Sequence, residues 1–177
     1  LRKNKNSIDL SAIGDKVIYR ENNLITIYFK NKRPITLPRL IKISPELIEL
    51  LYLFHGDGHY KNKFHFTKKN PELHKFVLEQ FKTIFKIPKD LWRARILINN
   101  LEFKDKAKDY WIDKLNLKES RFYNASKCNL NTNERGNLRI IIDNTIISPI
   151  FKYVFYKLNL STNQRLLHAL NGLLDAE

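Results

Sequence analysis

Apolar positions along this chain fall into runs whose period changes several times, and each change marks an element. Residues 16–29 read Lys16-Val17-Ile18-Tyr19-Arg20, Glu21-Asn22-Asn23, then Leu24-Ile25-Thr26-Ile27-Tyr28-Phe29. β-branched and aromatic residues on both sides of an Asn-Asn pair predict a β-hairpin. Arg33-Pro34-Ile35-Thr36-Leu37-Pro38 carries two prolines and reads as an extended connector. Residues 1–43 are accordingly assigned to an N-terminal β-hairpin appendage.

At Ser44 the pattern becomes helical. Ser44-Pro45-Glu46 supplies an N-cap hydroxyl, a proline at the first helical position and an acid in the first turn. Leu47, Ile48, Leu50, Leu51, Leu53 and Phe54 follow and point in almost every direction around the axis, so this helix is expected to be buried rather than amphipathic. Gly56-Asp57-Gly58 ends it.

Beyond it, alternation predicts a strand over Tyr60–Thr67, with Lys61, Lys63 and His65 on one face and Phe64 and Phe66 on the other. Asn70-Pro71-Glu72 caps a helix through Leu73, Phe76, Val77, Phe81, Ile84 and Phe85. A strand over Trp92–Ile98 carries Arg93 and Arg95 on one face. A helix spans Glu102–Leu115, strands follow at Arg121–Lys127 and Asn137–Asp143 around a polar turn, and helices open at Ser148-Pro149 and at Ser161. Four strands with cationic residues on one face, and helices to cover the other, define an α+β domain over 44–160, with a further helix at 161–177.

Charge adds a partner to this outline. The 177 residues carry 32 Lys+Arg against 18 Asp+Glu, a net charge of +14. Such an excess repels itself in a compact fold and calls for a polyanion, with nucleic acid first and an anionic membrane surface second. An ordinary Lys- and Asn-rich composition gives the same count. No apolar run approaches the ~20 residues of a membrane helix, so no spanning segment is expected, and duplex DNA is preferred to a membrane as the partner. The single cysteine, Cys128, excludes a disulfide framework and a Cys-based zinc site, which makes a reducing, cytoplasmic setting the default. The absence of Met, even at position 1, reads as a processed chain or a piece of a longer one.

Candidate chemistry centres on Asp57. A carboxylate at a helix C-terminus is disfavoured by the helix dipole and needs a cation beside it, a role a divalent metal can fill. An Asp before a Gly is also an ordinary turn residue. The string Leu50-Leu51-Tyr52-Leu53-Phe54-His55-Gly56-Asp57-Gly58 resembles the LAGLIDADG motif, with Asp57 at its final acid and Gly58 at its final glycine. Leu170-Asn171-Gly172-Leu173-Leu174-Asp175-Ala176-Glu177 resembles a second copy that ends on its acid, Glu177, 120 positions after Asp57. Tyr52 and Leu51 replace small residues of the motif, and His55 replaces its first Asp. The resemblance covers residues 44–177, with the helix at 71–85 as an addition between the first two strands.

The resemblance implies an αββαββα repeat with an antiparallel DNA-binding sheet. It further implies a homing-type, site-specific endonuclease that cuts double-stranded DNA with Mg²⁺ or Mn²⁺. Asp57 and Glu177 would be the catalytic, metal-binding acids, with Gly56 also at the metal. Hard oxygen ligands suit these ions. The saddle would use Lys61, Lys63, His65, Arg93, Arg95, Arg121, Lys127, Arg135 and Arg139, since Arg and Lys read guanine edges and phosphates. Any one of these is equally an ordinary residue of a solvated sheet face. A longer chain with a second repeat would be a pseudo-two-fold monomer, and a chain without one could dimerise. A non-catalytic DNA-binding regulator and an RNA-splicing maturase on the same fold are the alternatives, and a generic basic protein is a third.

Overall fold

The computed structural model describes residues 6–60, 64–129 and 132–159. The element order is β1 (Ser7–Asp9), β2 (Lys16–Tyr19), β3 (Leu24–Tyr28), β4 (Ile35–Pro38), β5 (Leu40–Lys42), α1 (Pro45–Asp57), β6 (Gly58–His59) and β7 (Phe64–Lys68). There follow α2 (Pro71–Phe85), β8 (Trp92–Ile98), α3 (Lys104–Leu115), β9 (Ser126–Lys127), β10 (Asn137–Ile142) and α4 (Ile147–Asn159). The protein is α+β, with sheets that are antiparallel apart from the β8–β9 pair.

The hairpin expected at 16–29 is present. Asn22 and Asn23 both adopt positive φ (55° and 58°), and Leu24 N–H donates to Glu21 O at 3.2 Å. Two consecutive left-handed residues form the turn whose twist matches a hairpin, and asparagine tolerates that region. The proline-bearing connector, by contrast, is a strand. Its prolines sit outside or at the end of the stretch Ile35–Leu37, so β4 pairs with β3, and Thr36 lies opposite Thr26 with the hydroxyls 3.0 Å apart. Residues 7–9 and 40–42 also pair, which periodicity over three-residue strands could not reveal. Arg39 joins Asp9 across this pair at 2.9 Å. The segment docks through buried Ile8, Leu10, Ile35, Leu37 and Ile41 onto the same apolar core as the rest, and Tyr153 Oη of α4 donates to Asp9 O.

Helix α1 begins as expected. Ser44 Oγ accepts from Leu47 N–H, and Pro45 opens the first turn. All six of the apolar residues named above are buried. Phe54 explains why: its ring lies 4.7–5.7 Å from those of Phe64, Phe66, Phe81 and Phe151. The helix therefore packs against β7, α2 and α4 at once. Gly58 closes it with φ −81°, a conformation open to any residue. What Gly58 avoids is contact: a Cβ there would run into the Phe54 ring at Cδ1 and lie 2.7 Å from Phe54 O.

Of the strand expected over Tyr60–Thr67, the structure shows β7 from Phe64, with a further short strand, β6, ahead of it at Gly58–His59. β6 and β7 are antiparallel neighbours with His59 opposite His65, so the chain reverses between them. The central sheet runs β6-β7-β10-β8-β9. The strand expected at Arg121–Lys127 shrinks to one bridge, Phe122 to Ala94, and the two residues of β9. A 3-10 turn at Glu119–Arg121 takes up its start. Phe64 and Phe66 of β7, Leu138, Ile140 and Ile142 of β10, and Trp92, Ala94, Ile96 and Ile98 of β8 form the inner face, and all four helices add side chains to the core over it. The helix expected from Ser161, and with it the second motif, lies outside the described residues.

Candidate functional site

Strand parity and register generate one polar face. β10 pairs with β7 and β8 so that Arg139 lies opposite both Thr67 and Arg95, while Ile141 lies opposite both His65 and Arg93. Adding β6, one row reads His59, His65, Ile141, Arg93, and the next reads Thr67, Arg139, Arg95. These residues are half-buried or exposed, whereas their neighbours on the opposite parity in β7, β10 and β8 are almost all buried. Three arginines thus converge from two adjacent strands on the sheet face opposite the core.

Each arginine is held. Arg139 Nε donates to Thr67 Oγ1 at 3.0 Å, and Arg93 Nη1 donates to Ser120 O at 3.3 Å. Tyr123, bonded through its N–H to Ala94 O, puts its ring 5.9 Å from the Arg93 guanidinium and 5.2 Å from that of Arg95. His59 and His65 stack at 4.8 Å at the other end of their row. No carboxylate among the described residues pairs with Arg93, Arg95 or Arg139. The three arginines are therefore charged, held in place and without a carboxylate partner among the described residues.

The other cationic candidates divide. Arg121 sits in the turn level with Arg93, at the margin of the face, 4.0 Å from Asp90. Lys127 pairs in register with Ile98 and so points to the helical side at the sheet edge. Arg135 leaves the set as well. Its guanidinium lies 4.7 Å from the Tyr110 ring on α3, and its carbonyl accepts from Trp111 Nε1, because the turn before β10 folds back over that helix. Lys61 and Lys63 lie outside the described residues.

Asp57 ends α1 at the β6 edge, and the cation that meets it is Lys68. Lys68 Nζ lies 2.5 Å from Asp57 Oδ2, with both side chains largely covered. Lys68 shares the parity of Phe64 and Phe66, so the ion pair belongs to the helical side of β7 and borders the arginine face without entering it. Apart from this pair, Oδ2 is buried with no hydrogen-bond donor among the described residues. The Lys68 backbone is pinned too, since its carbonyl accepts from Nε2 of buried His74 at 3.1 Å. Burial pushes the His74 ring down to about 4, against the opposing pull of that hydrogen bond, so the ring is neutral at neutral pH. Sequence reasoning missed Lys68. The signal was a charge ending the apolar column of β7, a place where a lysine needs a partner.

The expected metal position can be tested against these atoms. Mg²⁺ keeps several waters and takes one or two carboxylates, and Asp57 offers one, whose buried Oδ2 is already met by Lys68 Nζ at 2.5 Å. Asp57 thus supplies the right chemistry for one hard oxygen ligand, at a position where the ion would take the place of Lys68. Gly56 beside it is exposed. Glu177 lies outside the described residues, and among the described residues no group of three His, Cys, Asp or Glu gathers, at Asp57 or elsewhere. Compared with known proteins, the chain matches no protein-family model, no curated protein and no solved structure. No helix of the described residues is long and apolar enough to cross a membrane.

Proposed function

We propose that the outer face of the central sheet binds double-stranded DNA, and that the chain is a divalent-metal-dependent, LAGLIDADG-type endonuclease with Asp57 as a metal-binding acid. The observation that carries the DNA reading is the direct opposition of Arg139 and Arg95, with Arg93 beside them, on the face opposite the core. Two adjacent antiparallel strands are a width that the major groove admits, and arginine forks there reach guanine edges and phosphates. The face spans three strand spacings from β6 to β8, roughly 14 Å.

The order of elements supports the family reading. From α1 the chain runs α1-β6-β7-α2-β8-β10-α4, an αββαββα frame in which α3 and β9 are inserted between the last two strands. The helix at 71–85 then stands after the first two strands, as part of the frame and not as an addition. A divalent ion held by Asp57, with Glu177 as the expected second acid, would stabilise charge on a scissile phosphate and supply a bound water of lowered pKa. The residues of the chain do the remaining work: Arg93, Arg95 and Arg139 would hold and orient the phosphates, and Lys68 neutralises Asp57.

That last contact favours a second reading, in which the same saddle binds DNA without cutting it. An acid already paired with lysine needs no metal. Incubation of the chain with a duplex library and Mg²⁺ separates the two. Cleavage that disappears in Asp57→Asn while binding persists supports the enzyme. Binding without cleavage by either protein supports the regulator. Tighter binding to structured RNA than to duplex in competition would overturn both in favour of the maturase alternative.

A further inference from the structure

One cationic cleft lies off the saddle. It opens between the N-terminal strands and the Arg93 end of the central sheet, and encloses about 320 Å³. Four cations from four segments line it: Arg33 before β4, Lys86 at the end of α2, Arg93 on β8 and Arg121 after α3. Its walls are tied together, since Asn144 Nδ2 at the end of β10 donates to Arg33 O.

The charge balance inside is positive. Asp90 and Asp143 also line the cleft. Asp90 is met by Lys118 from outside the lining, with contacts of 3.4 Å and 3.5 Å to its two oxygens, and by Arg121 from inside it at 4.0 Å. Arg33, Lys86 and Arg93 have no carboxylate partner among the described residues. Arg121 Nε is covered and has no acceptor among the described residues, while its Nη2 lies 4.0 Å from Asp90. The donors the cleft presents are those of the exposed Arg33 and Lys86, of Arg93, and of the uncovered part of the Arg121 guanidinium. Guanidinium forks match phosphate oxygens, whereas a lone carboxylate would leave most of these donors unused.

We propose that this cleft binds a phosphate group, and that in the DNA complex the group is a phosphodiester of the strand leaving the saddle past Arg93. The source of the phosphate rests on the DNA reading above, whereas the anion site does not. Arg93 faces both surfaces, so the same guanidinium would join the saddle to the cleft. The N-terminal segment then contributes Arg33 to DNA binding, which gives it a role besides packing.

The test uses the full chain and the variant Arg33→Gln/Lys86→Asn, which leaves the saddle arginines in place. Asparagine is chosen because Lys86 has φ 58°, a region asparagine tolerates. Lys82→Gln/Lys152→Gln, both exposed and away from the cleft lining, controls for net charge. Calorimetric titration with inorganic phosphate should show saturable binding to the wild type and control, weakened roughly tenfold or more in the cleft variant. In salt titrations with a mixed-sequence duplex, the slope of log affinity against log salt should fall by about one in the cleft variant relative to the control. Both results together support the proposal. Phosphate binding lost with an unchanged DNA slope keeps the anion site and overturns its assignment to a DNA strand. Phosphate binding by a wild type that does not bind duplex leaves the cleft standing while the DNA reading fails. No saturable phosphate binding, with identical slopes in variant and control, overturns the proposal.

Discussion

Arg95 of β8 lies directly across from Arg139 of β10, two like charges at adjacent positions on a half-buried sheet face. Directly opposed like charges disfavour a sheet by a few tenths of a kcal/mol to about 1 kcal/mol. Thr67 and Tyr123 hold the pair in place without neutralising it. Under the proposed function, a phosphate of the duplex supplies the missing negative charge.

Replacing Arg95 should therefore separate stability from binding. Arg95→Leu is expected to leave the melting temperature unchanged or to raise it by a few degrees, since about 1 kcal/mol moves Tm by ~2–4 °C in a domain of this size. Duplex affinity should fall, and the salt slope should drop by about one. Thermal unfolding and a salt titration on the same sample check this. A lower Tm with unaltered DNA binding would mark Arg95 as structural.

The Lys68–Asp57 pair predicts an exchange of one cation for another. Lys68→Gln should destabilise the protein by roughly 1–3 kcal/mol, because it leaves a partly covered carboxylate unpaired. Added Mg²⁺ should then raise the Tm of Lys68→Gln more than that of the wild type, and should have least effect on Asp57→Asn. Equal Mg²⁺ shifts in all three proteins would sink the assignment of Asp57 as a metal ligand.

His74 makes stability depend on pH. Its ring titrates near 4 in the folded protein against about 6.5 when free, so the unfolded chain takes up the proton first. Stability from this group is complete above about pH 6.5 and is lost as pH falls toward 4, by roughly 3 kcal/mol in total. His74→Gln keeps a donor for the Lys68 carbonyl but does not titrate. Denaturant midpoints measured between pH 7 and pH 4.5 should slope less steeply for this variant, and parallel slopes would show that the histidine charges freely in the fold.

Gly58 is expected to tolerate no side chain. With φ −81° the backbone would accept alanine, but the new Cβ would strike the carbonyl and ring of Phe54. Gly58→Ala should cost roughly 1–3 kcal/mol as an overpacking substitution. A chemical denaturation midpoint within error of wild type would mean that α1 ends differently.

How much was legible in the chain follows from how local each signal is. Asn22-Asn23, the Ser44-Pro45 cap and the alternation of Arg93 and Arg95 against Trp92, Ala94 and Ile96 are short-range choices, and the structure realises each. The pairing of β6 with β7 was missed because two residues, Gly58 and His59, are too few to show an alternation. The pairing of β4 with β3 was missed because prolines at the edges of a strand look like prolines in a connector. Arg135 was grouped with the wrong face because a turn residue has no parity to follow.

The sequence by itself determined a basic α+β chain with a buried helix ending in Gly-Asp-Gly and strands carrying cations on one side. Those features depend on residue type, spacing and period alone. Only the tertiary structure decided which cations meet. Register set Arg139 against Arg95, the end of β7 brought Lys68 to Asp57, and the docking of the N-terminal strands placed Arg33 near Arg121. These residues are 44, 11 and 88 positions apart. Contacts over such separations are fixed by strand pairing and core packing, which no local pattern in the chain encodes.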